Sequence, residues 1–167
     1  MKLPFTKSYC IDTDALITLK THYPKKEPPF KAIWEEIEKL IKEGNMFSIK
    51  IVEKEIRKYQ GKDDFLKKWI DANKKQFIIP IDSEIWSAGE KIMTEHPELL
   101  DKKKLSNSNP EADPFLIALA FAKGSTIITQ ESKSNPNKIP MVASYYRIKC
   151  INLFEFFNEQ SLEFVKK

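Results

Sequence analysis

The sequence predicts an α/β fold, a three-layer α/β/α sandwich on a central parallel sheet. Two observations carry that expectation. Five short, continuous apolar runs, at residues 9–12, 46–49, 77–81, 126–129 and 150–153, have strand character, and segments of helical periodicity lie between them. Runs that are apolar at consecutive rather than alternate positions mark strands buried on both faces, as in parallel sheets covered by helices. Their alternation with helices is the rhythm of βαβ units. A chain of 167 residues, 41% of them apolar, is long enough for one domain with a substantial core.

The elements follow in order. The first strand, YCID, ends on Asp12, and a helical pattern follows over residues 15–19. Asp14, taken alone, reads as a helix N-cap. Pro28-Pro29 open a helix in which Phe30, Ile33, Trp34, Ile37, Leu40 and Ile41 recur at i, i+3, i+4 and i+7, and Gly44 stands where its C-cap belongs. Residues 51–60, 64–74 and 84–95 are further helices, the last opened by Ser83 as N-cap and stopped before Pro97. The helix over 114–123 starts with Asp113 as N-cap and Pro114 in the first helical position. It is apolar on every side from Phe115 to Phe121 and is expected to be buried. Helices over 140–146 and 153–160 complete the chain. Residues 101–112, DKKKLSNSNPEA, read as a mobile loop, either a solvated surface turn or a substrate-facing flap bearing Lys102, Lys103 and Lys104.

Scarcity excludes several chemistries. The four Gly, at 44, 61, 89 and 124, are too dispersed for a dinucleotide fingerprint or a Walker loop, and no GxSxG elbow is present. His22 and His96 cannot supply a His-rich metal site, and Cys10 with Cys150 cannot make a zinc cluster. Both cysteines fall in strand-like runs and read as free, buried thiols. The net charge of +4 permits a polyanionic partner; of 28 basic residues only Arg57 and Arg147 are arginine. Lysine suits phosphate contact better than base readout, so recognition of nucleic acid would rest on backbone and shape. The N-terminus lacks the apolar stretch of a signal peptide, and the longest apolar run, residues 115–122, is far short of a membrane span. A cytoplasmic protein is expected.

Carboxylates are therefore the plausible agents of any chemistry. Asp12 ends the first strand, where open parallel sheets bind ligands. Asp113 opens a buried helix. Glu131 closely follows the fourth strand. A fourth acid is Glu55 or Glu53. With Val52, Ile56 and Tyr59 as the buried stripe and Val52 at zero, Glu55 lies at about −60° and Glu53 at about +100°, so Glu55 is favoured and Glu53 is expected to be exposed. Such acids repel one another by about 4 kcal/mol per pair at an effective dielectric of 20, which a divalent cation or raised pKa values must relieve. Oxygen donors without His or Cys favour Mg²⁺ or Mn²⁺, and metal-assisted phosphodiester hydrolysis is chemistry that such a site supports.

The ordered segments IDTDALI, FSIKIVEKEI, ADPFLIALA, STIITQE and KIPMVASYYRIKCINL resemble the PIN domain, and more closely a PIN-like branch related to the VapC toxins, over about residues 9–157. The resemblance implies a single PIN-like domain over residues 1–167 with a five-stranded parallel sheet of order 3-2-1-4-5. It also implies an acidic Mg²⁺ or Mn²⁺ site in which Asp12, Glu55, Asp113 and Glu131 are catalytic and Asp12, Asp113 and Glu131 hold metal. Glu131 stands where many members have Asp, and Asp14 where small polar residues are usual. Asp14 and Thr129 are secondary candidates. The activity implied is that of a metal-dependent endoribonuclease, the toxin of a type II pair silenced by a cognate antitoxin protein. Lys102, Lys103, Lys104 and Arg147 are candidate RNA contacts. Two alternatives stand beside it: a haloacid-dehalogenase-like phosphatase using Asp12 and Asp14 as its DxD pair, with Leu16 departing from that motif, and a catalytically weak RNA-binding or protein-interaction module. The apolar segment LFEFF invites a homodimer interface and equally a closing core helix.

Overall fold

The computed structural model describes residues 6–59, 61, 63–100 and 111–163. Five parallel strands, β1 (Tyr9–Ile11), β2 (Met46–Ile49), β3 (Ile78–Ile79), β4 (Thr126–Ile128) and β5 (Cys150–Ile151), form one sheet of order β3-β2-β1-β4-β5. The helices are α1 (Thr13–His22), α2 (Lys31–Lys42), α3 (Lys50–Lys58), α4 (Phe65–Phe77), α5 (Ser83–Glu95), α6 (Ala112–Lys123), α7 (Ile139–Tyr145) and α8 (Leu153–Glu159), with short 3₁₀ turns at Pro28–Phe30 and Pro97–Leu99. The expected architecture and strand order are both observed.

Steps from β1 to β2 to β3 run one way across the sheet, and the chain then returns past β1 to β4 and β5. Right-handed crossovers place helices of the two directions on opposite faces. Accordingly α1, α3 and α2 pack against α4 on one side, and α5 and α7 pack against α6 on the other. β1 is sealed between these layers, with Tyr9, Cys10 and Ile11 buried, which is why its run is apolar without alternation. The reversal falls between β1 and β4, where Ile11 pairs with Ile128, so residues following both strands emerge side by side.

The sequence placed several helix starts a residue or two away from where they lie. Asp12 rather than Asp14 caps α1, accepting the Thr13 N–H at 2.7 Å, and Asp14 sits in the first turn. Asp82 rather than Ser83 caps α5, accepting the Ile85 N–H at 2.8 Å. Helix α6 begins at Ala112 after Glu111, so Asp113 lies inside the first turn instead of capping it. Proline lacks a donor that no residue of a first turn needs, so Pro114 could not fix the start of α6 to one position. Helix α6 is buried over most of its length, but Phe121 is 64% exposed near its C-terminus. Cys10 and Cys150 are free, the first buried and the second half-buried. In α8, Leu153, Phe156 and Phe157 enter the core, with Phe156 edge-on to Tyr9 at 5.2 Å, so the segment closes the core. Among the described residues no helix is long and apolar enough to cross a membrane.

One glycine governs how closely α5 approaches α6, the helix that carries Asp113. A Cβ on Gly89 would stand 2.3 Å from Cδ1 of Phe115, a side chain 1% exposed and stacked on Trp86 at 4.9 Å. Gly89→Ala is expected to lower stability by about 1–3 kcal/mol through forced overpacking, measured by chemical denaturation. An unchanged midpoint would show that α5 can move away without cost.

Candidate active site

The strand ends deliver the acids. Asp12, 4% exposed, follows β1, and its backbone N–H reaches the Ile128 carbonyl at 3.0 Å, placing it beside Thr129 at the end of β4. The Thr129 hydroxyl stands 3.1 Å from Asp12 Oδ2 and 3.3 Å from Asp14 Oδ1, and it accepts the Glu131 N–H at 3.2 Å. One hydroxyl proton serves two carboxylates there, so hydrogen bonding from Thr129 cannot satisfy both at full strength. Asp12, Asp14 and Glu131 each offer an oxygen within 4.8 Å of the others. Asp113 and Glu55 line the same cleft, of about 940 Å³, from α6 and α3.

Backbone amides hold these acids in place. Asp12 takes the Thr13 N–H, Asp14 the Gln130 N–H at 3.1 Å and Glu131 the Ile139 N–H at 2.8 Å. Glu55 Oε1 faces the Ala112 N–H at 3.3 Å while its Oε2 accepts the Thr13 hydroxyl, tying α3 to the starts of both α1 and α6. Neutral donors fix geometry without cancelling charge. Among the described residues no lysine or arginine forms an ion pair with any of the five carboxylates. Burial, reinforced by Asp14, Asp113 and Glu131, pushes the Asp12 carboxyl well above the ordinary carboxylate range. Burial likewise raises Asp113, with Glu131, Glu55, Glu111 and Asp14 adding to it. Glu131 is raised mainly by burial, against the opposing pull of the Ile139 N–H.

Glu53 corrects the sequence reading. It is not exposed: it is fully buried and meets Lys50 at 2.6 Å, Arg57 at 2.9 Å and Lys74 at 3.0 Å. Burial raises its pKa, but the three cations prevail and hold it at about 2. Its role is to join α3 to α4, and Glu55 is the helix α3 acid that lines the cleft.

The donor set suits a hard divalent cation. Oxygens about Mg²⁺ sit at roughly 2.1 Å, hence about 3 Å apart when adjacent and about 4.2 Å when opposite, and one oxygen each of Asp12, Asp14 and Glu131 lies within 4.8 Å of the others. The supporting observation is chemical: one buried and four half-buried acids, gathered without an ion-paired lysine or arginine among the described residues, leave their charge to be met by something else.

The other sequence candidates fall elsewhere. Lys102, Lys103 and Lys104, with residues 101–110 of the loop expected over 101–112, lie outside the described residues, and Ala112 already belongs to α6. Arg147 has φ 58° in the turn before β5 and borders a separate pocket with Phe121 and Lys149, at the opposite end of the sheet from the acids. Sequence reasoning passed over Lys138, which lines the acidic cleft beside Asn135 and Asn137. Its signal was a place on the short loop that leaves Glu131 and ends at Pro140.

A family model described as Domain of unknown function (DUF4411) matches residues 9–164. No curated protein matches the chain. Among solved structures, VapBC2 from Rickettsia felis bound to a DNA fragment from their promoter gives a TM-score of 0.51 at 16% identity, covering 86% of this chain and 97% of that one. FitAcB from Neisseria gonorrhoeae gives 0.51 at 13% identity, covering 86% and 96%. FitAB bound to an IR36 DNA fragment gives 0.52 at 14% identity, covering 86% and 94%. At these identities the likeness is one of fold, and it agrees with the PIN-like architecture that the sequence resemblance implied.

The raised carboxyls carry a stability consequence. A carboxyl whose pKa is higher in the fold than in the unfolded chain, where it is about 4, favours folding when protonated and erodes stability as pH rises toward its folded value. In EDTA, Asp12→Asn is therefore expected to melt several degrees above the parent at pH 7, about 1–2 kcal/mol, and the gap is expected to narrow toward pH 5. A variant that melts lower at pH 7 would show that the Asp12 charge is already balanced.

Proposed function

We propose that this chain, which belongs to the DUF4411 family, is a metal-dependent endoribonuclease that acts in the cytoplasm as one PIN-like domain and as the toxin of a toxin–antitoxin pair. The observation that carries the reading is the convergence of Asp12, Asp14 and Glu131 at the β1–β4 reversal, with Asp113 and Glu55 lining the same cleft and, among the described residues, no lysine or arginine ion-paired to them. The PIN-like fold supports it, as does the appearance of VapBC2 and FitAB, complexes by their names, among the structural neighbours. An antitoxin protein is the partner we propose by that analogy.

In this reading Asp12 and Glu131 hold Mg²⁺ or Mn²⁺, with Asp14 beside them and Asp113 completing the ligands from α6. The ion, when bound, lowers the pKa of a coordinated water and offsets the charge that develops on the phosphodiester. The chain's own residues do the remaining work. Glu55, fixed by the Thr13 hydroxyl and the Ala112 N–H, orients the attacking water from the α3 side. Thr129 keeps Asp12 and Asp14 turned toward one point. The water gives up a proton to solvent and its oxygen forms a bond to phosphorus as the bond to the leaving ribose oxygen breaks, and that oxygen takes up a proton from solvent. A buried Asp12 whose two oxygens already accept hydrogen bonds suits a ligand at the floor of a site, which weighs against its use as the attacking group of a phosphatase.

Purified protein is expected to cut RNA with Mn²⁺ or Mg²⁺, to stop in EDTA, and to lose activity with Asp12→Asn. Glu55→Gln is expected to lower cleavage by about 10²-fold or more without loss of fold, whereas Glu53→Gln, which strands three cations, is expected to lower stability first. Metal-replete protein that cuts no RNA would defeat the reading.

A further inference from the structure

A cleft that gathers acids presents a problem to the substrate proposed for it. Among the described residues, Asp12, Asp14, Glu55, Glu111, Asp113 and Glu131 line it, joined by Glu98, and Lys138 is the one cation on its wall. A phosphodiester strand brings one negative charge per nucleotide, so it needs both the bound ion and a cationic side chain to enter. Lys138 is exposed and makes no ion pair among the described residues. It stands on the cleft wall with Glu131, Asn135 and Asn137, beside the acid cluster.

The loop that carries Lys138 is built, not loose. Glu131 closes it by accepting the Ile139 N–H at 2.8 Å, Lys133 anchors its near side on Glu155, and Asn135 Oδ1 takes the Asn137 N–H at 2.9 Å in a tight turn. Lys138 itself precedes α7, its N–H bonded to the Asn135 carbonyl at 3.2 Å. The backbone at Lys138 is thus held on both sides, and its side chain, on a flexible stem, lines the cleft.

We infer that Lys138 is a substrate-contact residue: it binds a phosphate of single-stranded RNA beside the acid cluster, so that the strand enters over the loop between β4 and α7. This rests on the ribonuclease reading above and adds the side of entry. As a point charge on phosphate, Lys138 is expected to contribute affinity without base preference.

The test measures binding of a fluorescent single-stranded RNA of mixed sequence, by anisotropy across a salt series, in the full chain carrying Asp12→Asn to suppress cleavage. Adding Lys138→Ala is expected to weaken binding about 3- to 10-fold at low salt and to reduce the slope of log K against log salt by about 0.7–1. Lys138→Arg is expected to restore both, and Lys149→Ala, at the far end of the sheet, to change neither. Mn²⁺ affinity of otherwise native protein, by calorimetry, is expected to be the same with and without Lys138→Ala, which separates substrate contact from support of the acids. Unchanged RNA affinity and salt slope in Lys138→Ala would overturn the assignment and leave the ribonuclease reading standing. Parent protein that binds Mn²⁺ but no RNA would overturn both.

Discussion

Mutual repulsion among carboxylates at the β1–β4 reversal is the constraint on which the rest of this structure turns. Asp12, Asp14 and Glu131 crowd one point while Asp113 and Glu55 face them across the cleft. The fold answers that repulsion with position rather than charge. Backbone N–H groups of Thr13, Gln130 and Ile139 each grip one oxygen of the triad, and the Ala112 N–H does the same for Glu55. These donors belong to strand ends and helix starts, so the supports of the site are the supports of the sheet. Such an arrangement carries an energetic cost in the metal-free state and gains a reason only if a cation completes it.

Helix α3 shows the contrast within nine residues. Glu53 is buried and satisfied, with three basic side chains holding it ionised. Glu55, two positions on, has none among the described residues, and is held by a hydroxyl and an amide at the wall of the cleft. A buried acid surrounded by cations is a strut, and an acid held by neutral donors retains its charge for a ligand. The same distinction separates Lys138, without an ion pair among the described residues, from Lys50 and Lys74, which are absorbed by Glu53.

Much of the fold was legible because burial on both faces leaves a strong trace. The five apolar runs marked all five strands, and periodicity marked the helices, since both patterns depend only on what a local segment must hide. Capping was less legible: Asp12, Asp14, Ser83 and Asp82 are all competent caps, and only the direction in which the strand leaves the sheet decides among them. The error over Glu53 has a similar origin. A stripe of Val52, Ile56 and Tyr59 depends on Tyr59, which lies beyond the end of α3 and is 38% exposed. The buried side of α3 instead extends through Ile51, Val52, Glu53 and Ile56, because α4 brings Lys74 across it. A helical wheel sees one helix, and the neighbour settled the matter. The placement of Glu55 toward the site and the adjacency of Asp12 and Glu131 were within reach, whereas Lys138 depended on how a loop returns over the cleft.

Anomalous diffraction from crystals of the chain soaked in Mn²⁺ tests the central claim most directly. The account predicts a strong peak with carboxylate oxygens of Asp12 and Glu131 at about 2.2 Å, bordered by Asp14. A cleft that stays without a peak at millimolar Mn²⁺, or a peak elsewhere with none between these residues, would contradict it.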